Sequence, residues 1–172
     1  GLVALRAAEQ RGETTDYQDQ ESSGTSIFDP VLCELAYRWF CPPGGSVIDP
    51  FAGGSVRGVV AALCGRRYIG TELRPEQVAA NRAQWTAIPH KGAPDPAWHE
   101  ADGVNLDAHL DGHPADLIFT CPPYADLEVY SDDPRDLSSM DYPAFVAAYR
   151  EIIRRACAAL ANDRFACIVV GD

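Results

Sequence analysis

Val47-Ile48-Asp49-Pro50-Phe51-Ala52-Gly53-Gly54-Ser55 tells more about the architecture than any other segment of this chain. An apolar run ends in an acid, a proline and two glycines, and a helical pattern follows. Strand, tight turn and helix start come in that order. Glycines let a backbone approach a ligand closely. The helix N-terminus beyond them offers unpaired N–H groups and positive potential for a carboxylate. The dinucleotide pattern G-x-G-x-x-G is absent. A purely structural tight turn is the alternative reading of this stretch.

The pattern repeats outward from there. Expected strands run over 46–51, 66–73, 97–101, 115–120 and 164–170. Expected helices run over 55–64, 75–85 and 143–160. The last has Phe145, Val146, Tyr149, Ile152, Ile153 and Cys157 on its apolar face. Upstream, Asp29 is the expected N-cap and Pro30 the first-turn residue of another helix. Its apolar spacing is Val31, Leu32, Leu35, Ala36 and Trp39. Alternation of strand and helix with short links implies an α/β fold, a three-layer sandwich around a mostly parallel sheet. Residues 1–26 are polar and are expected to form a flexible arm, with the folded domain over 27–172. The chain stops at Asp172 just after a core-type strand, so further strands are expected beyond it.

In open α/β sheets, ligands bind at the carboxyl ends of the strands. Two acids fall there. Glu72, with Leu73 beside it, ends the second strand, where nucleotide-binding folds place an acid against ribose hydroxyls. Asp102 follows the third strand, where a carboxylate can accept from an adenine amino group; a turn-forming Asp before Gly103 is the alternative. The fourth strand ends in Thr120-Cys121-Pro122-Pro123-Tyr124. Two prolines stiffen the backbone and remove two donors. The neighbouring carbonyls remain as acceptors for an –NH2 group, and orientation of such a group is catalysis by positioning. Tyr124 offers a face for a flipped-out base. A plain strand-ending Pro-Pro turn is the bland alternative. A nucleophilic Cys121 would need an activating partner, and His109 and His113 are the nearest histidines in sequence. The segment 125–142 is long, acidic and rich in turn formers. It is placed to cover a substrate or to be a solvated loop.

Composition sets bounds. The 172 residues suit one domain, 47% are hydrophobic, and no apolar run is long enough to span a membrane. Formal net charge is −11, Lys91 is the only lysine, and the arginines cluster at 57, 66, 67 and 74 and at 150, 154 and 155. That balance argues against unspecific affinity for nucleic acid but leaves room for a local basic patch. The six cysteines lack zinc-site spacing. Cys33, Cys64, Cys157 and Cys167 fall on apolar faces and are expected as buried free thiols, a usage that suits a cytoplasmic location.

Asp49-Pro50-Phe51-Ala52-Gly53-Gly54 resembles the D-P-F-x-G-x-G cofactor motif of the amino-group DNA methyltransferases, and Thr120-Cys121-Pro122-Pro123-Tyr124 resembles their D/N/S-P-P-Y/F/W catalytic motif. The likeness spans residues 27–172. It implies a Rossmann-like class I methyltransferase fold and S-adenosylmethionine as cofactor, with S-adenosylhomocysteine as product. It implies transfer to N6 of adenine or N4 of cytosine in DNA, in a restriction-modification setting and without a metal. Phe28 and Asp29 match the element beside the methionine part of the cofactor. Asp49, Pro50, Phe51, Ala52, Gly53, Gly54, Ser55, Glu72, Leu73, Asp102 and Thr120 complete the implied cofactor site. Cys121, Pro122, Pro123 and Tyr124 form the implied catalytic site. Two positions depart from the family pattern. Arg57 stands close after the glycines, where the family has small Ser/Thr residues. Cys121 replaces Asp, Asn or Ser, and a thiol is a poor acceptor, so the Pro122 carbonyl takes more of the amine contact. No target-recognition domain is recognisable. The alternatives are an RNA base or a small amine-bearing metabolite as substrate, or a cofactor-binding subunit completed by a second chain or a missing C-terminal segment.

Overall fold

The computed structural model describes residues 28–124 and 129–170. The arm expected over 1–26, and Asp126 and Glu128 of the acidic loop, lie outside them. The first described helix, α1 (Pro30–Phe40), starts as expected: Asp29 Oδ1 accepts from the Val31 and Leu32 amides at 2.7 and 3.4 Å, with Pro30 in the first turn. It ends before Pro42-Pro43. Then follow β1 (Ser46–Asp49), α2 (Val56–Leu63), β2 (Arg67–Glu72), α3 (Pro75–Ala87), β3 (Ala97–Glu100), β4 (Ala115–Thr120), α4 (Tyr142–Ala158) and β5 (Leu160–Ile168). Two 3-10 helices, Gly103–His109 and Leu137–Ser139, were not expected from the sequence.

All strand pairs are parallel, in the order β3-β2-β1-β4-β5. Residues along a strand alternate between faces, and the core follows that rule. Val47, Leu117 and Phe119 join Cys33, Ala61, Val78 and Trp85 on one face. Ile48 and Ile118 join Leu106 and Ala156 on the other. Helices α1 to α3 therefore cover one face, and α4 with the longer 3-10 helix covers the other. The strand order reverses between β1 and β4. A crevice opens at such a switch point, outside the strands' carboxyl ends.

Three expectations are corrected. The buried stripe of α1 is Cys33, Ala36 and Tyr37, whereas Val31, Leu32, Leu35 and Trp39 are exposed. Both stripes are apolar, so periodicity could not choose between them. The choice falls to fit: small Cys33 and Ala36 let the helix approach the sheet, and Tyr37 packs edge-on to Phe119 with centroids 5.2 Å apart. Second, Cys157 is exposed and Cys64 and Cys167 are only half-buried, while Cys41 is buried; all six thiols are free. Third, β5 starts earlier than expected, at Leu160, and leaves Phe165 exposed. Among the described strands it pairs with β4 alone.

Candidate active site

Asp49 is the floor of the crevice. It is fully buried, and its four hydrogen bonds draw together four parts of the fold. Oδ1 accepts from the Phe51 amide at 3.1 Å and Thr120 Oγ1 at 2.5 Å. Oδ2 accepts from Arg57 Nε at 2.6 Å and the Tyr68 hydroxyl at 2.8 Å. Burial, reinforced by Asp49, pushes the Tyr68 phenol well above its usual pKa, so it remains a donor. A buried carboxylate needs such partners, since an unpaired one costs several kcal/mol.

The glycine turn lies on that floor. Gly53 has φ +48, and a Cβ on Gly54 would meet nothing within 4 Å, so the turn faces open space. The Ala52 amide is tied to Thr71 O at 2.9 Å. Glu72 braces the turn from β2: Oε2 accepts from the Gly53 amide at 3.0 Å, and Oε1 accepts from Arg74 N and Nε at 3.1 and 3.3 Å. Helix α3 braces it from above. Asn81 Nδ2 donates to Gly53 O at 2.7 Å, Gln77 donates to Asn81, and the Ser55 hydroxyl bonds to Gln84. Sequence reasoning missed this support. The only trace of it was the i,i+4 pair Gln77/Asn81 on one helix side.

A cavity of about 610 Å³ lies over the turn. That volume is within the range of ligand pockets. Of the expected residues, Phe28, Pro50, Phe51, Gly53, Gly54, Ser55, Glu72, Leu73, Asp102, Cys121, Pro122, Pro123 and Tyr124 line it. Asp29, Asp49, Ala52 and Thr120 do not. Asp29 is spent on capping α1 at the surface. Asp49, Ala52 and Thr120 are sealed beneath the turn as its foundation. Asp102 Oδ1 accepts from the Val104 amide at 3.0 Å, as a turn-forming Asp does, and the residue also lines the cavity.

The described part of the loop after β4, residues 129–141, borders the cavity. Buried Asp136 knots it, accepting from the Ser131 hydroxyl at 2.7 Å and from Ser138 N and Oγ at 3.0 and 2.7 Å. Tyr130, Arg135, Asp136 and Leu137 thereby reach the cavity wall. The Arg74 guanidinium lies 5.8 Å from the Tyr130 ring centroid. Hydrogen bonds from Arg135 hold half-buried Asp133 down at a pKa of about 2, so this carboxylate is paired, not loose.

Cys121 is half-buried and lines the cavity with Tyr124. Burial pushes the thiol pKa up, and Arg57 offsets this only in part. A protonated thiol is a weak nucleophile. Among the described residues, no group of three or more His, Cys, Asp or Glu is arranged to hold a metal ion, and no helix is long and apolar enough to cross a membrane.

Solved structures share this architecture. TrmN from Thermus thermophilus matches over 82% of this chain with 21% identity and a TM-score of 0.62. An rRNA methylase from Streptococcus thermophilus matches over 84% of this chain and 71% of its own, with 14% identity and a TM-score of 0.56. A Streptococcus mutans protein in complex with SAH matches over 83% of this chain and 73% of its own, with 11% identity and a TM-score of 0.56. The fold is that of a class I methyltransferase. The chain spans 38% of the length of the Thermus protein. No family model and no curated protein matches it.

Proposed function

We propose that this chain is an S-adenosylmethionine-dependent methyltransferase acting on the exocyclic amine of a DNA base, N6 of adenine or N4 of cytosine. One observation carries the reading: the glycine turn after β1 and Cys121-Pro122-Pro123-Tyr124 after β4 line a single cavity at the switch point of the sheet. The residues fit the cofactor. Gly54 leaves open space where a side chain would intrude, and the Glu72 carboxylate stands at the end of β2 for the ribose hydroxyls. When bound, S-adenosylmethionine supplies an electrophilic methyl group.

The protein's part is positioning. Asp102 would hold the adenine amino group of the cofactor. The Cys121 and Pro122 carbonyls would accept from the target amine and orient its lone pair. Tyr124 would stack on the base. The loop knotted at Asp136 would limit water. The methylated amine would give up one proton to water, the carbon–sulfur bond of the sulfonium breaking to leave S-adenosylhomocysteine. Protonated Cys121 stays a wall of the pocket, and no covalent enzyme intermediate forms.

An RNA base is the second reading. What supports it is the rRNA methylase from Streptococcus thermophilus among the fold neighbours. The arginines do not choose between the two, since RNA and DNA carry the same backbone phosphates: Arg57 and Arg66 are buried, and Arg154 and Arg155 both pair with Glu151. Incubation with methyl-labelled cofactor and equal amounts of unmethylated DNA or RNA separates the two. Label in DNA is the expected result. Label in RNA alone overturns the DNA assignment. Label in neither, with cofactor bound, moves the reading to a subunit that needs a partner chain.

A further inference from the structure

Arg57 departs from the small residues that the family motif has near this place, and its side chain is not fully used. Nε donates to Asp49 at 2.6 Å. Nη2 donates to Phe51 O at 2.5 Å and Ala52 O at 2.9 Å. Nη1 has no partner among the described residues. The Phe28 ring covers the guanidinium, 4.8 Å from Cζ to its centroid. The residue is 6% exposed, yet Nη1 is not among the buried polar atoms sealed off without a partner, which are Arg66 Nε and Trp98 Nε1. Arg57 lines the cavity between the glycine turn and Cys121. Its free edge therefore opens into that cavity.

We propose that Arg57 Nη1 holds the methionyl carboxylate of the cofactor. The inference rests on the cofactor reading above. Two features agree with it. No side chain caps α2, since the Ser55 hydroxyl is committed to Gln84, so the first-turn amides of α2 add positive potential at the same place. Asp49 already has four donors and cannot turn to the ligand. The three bonds from Nε and Nη2 fix the guanidinium plane, which leaves one edge for one carboxylate oxygen. Charge-assisted hydrogen bonds of this kind are the strong ones.

The test is a cycle of calorimetric titrations. The ligands are S-adenosylhomocysteine, its carboxamide and 5′-methylthioadenosine, which lacks the amino-acid part. The proteins are the wild type and an Asp49→Asn/Arg57→Gln double variant, which removes both charges together. The wild type is expected to prefer the carboxylate over the carboxamide by about tenfold or more. The double variant is expected to lose that preference, read as the ratio of its affinities for the carboxylate and the carboxamide. A preference kept in the double variant, or absent in the wild type, overturns the proposal. Failure of the wild type to bind any of the three ligands instead contradicts the cofactor reading. If the double variant does not fold, a crystal structure of the wild type with S-adenosylhomocysteine decides. A carboxylate oxygen at about 3 Å from Nη1 supports the proposal, and a carboxylate bonded only to the α2 amides overturns it.

Discussion

Gly58 shows how tightly single residues are constrained around the site. A Cβ there would stand 2.5 Å from Trp98 Cζ2 and 3.0 Å from Tyr68 Cδ1. Both rings are buried, and Tyr68 also holds Asp49. Gly58→Ala is expected to cost about 1–3 kcal/mol, as overpacking does, and to lower the thermal unfolding midpoint. An unchanged midpoint would mean that α2 can shift freely. In the cavity, Tyr124→Ala is expected to cut kcat/KM by roughly 5- to 150-fold, the worth of one stacked base. Calorimetry on the same variant should find cofactor affinity nearly unchanged. Cys121→Ser is expected to keep activity, since burial keeps the thiol protonated and gives it no covalent task. Cys121 and Tyr124 could be picked out by residue type and order, and both line the cavity. Asp29, Asp49, Ala52 and Thr120 do not line it, because a motif gives neighbours in sequence and not which side of a turn faces the cavity.

At the scale of elements, β4 appears at its expected bounds and β1, β2 and α3 within a few residues. Caps and strand patterning are local physics, so they read directly. The buried stripe of α1 and the 3-10 helix Gly103–His109 did not, because both depend on what packs against them. That 3-10 helix brings His109 onto His99 of β3, rings stacked with centroids 3.9 Å apart. Burial, then the His109 ring and Arg82, hold the His99 imidazole below its usual pKa of 6.5. The folded state thus binds this proton less readily than the unfolded chain. The resulting stability is present above pH 6.5 and is lost as pH falls through the lowered value. Denaturant unfolding is expected to show a lower midpoint at pH 5.5 than at pH 7.5, with a smaller difference in His99→Gln. An equal difference in both proteins would remove His99 from the account.

Across the whole molecule, charge was the least legible property. The net charge of −11 and the arginine clusters left a local basic patch open. The fold spends much of that positive charge internally: Arg57 on Asp49, Arg66 on the Cys41 and Cys64 carbonyls, Arg82 on Trp98 O. Sequence counts cannot separate a guanidinium that braces a turn from one that meets a phosphate. Parallel pairing, by contrast, follows from strand–helix alternation, and the strand order of the fold puts both motifs at one crevice. That convergence is the basis for the proposed methyl transfer to an exocyclic amine. The most direct test is mass spectrometry of nucleosides from DNA incubated with the protein and S-adenosylmethionine. The account predicts N6-methyldeoxyadenosine or N4-methyldeoxycytidine. Methyl on a ring carbon, with a covalent adduct trapped on Cys121, would contradict it.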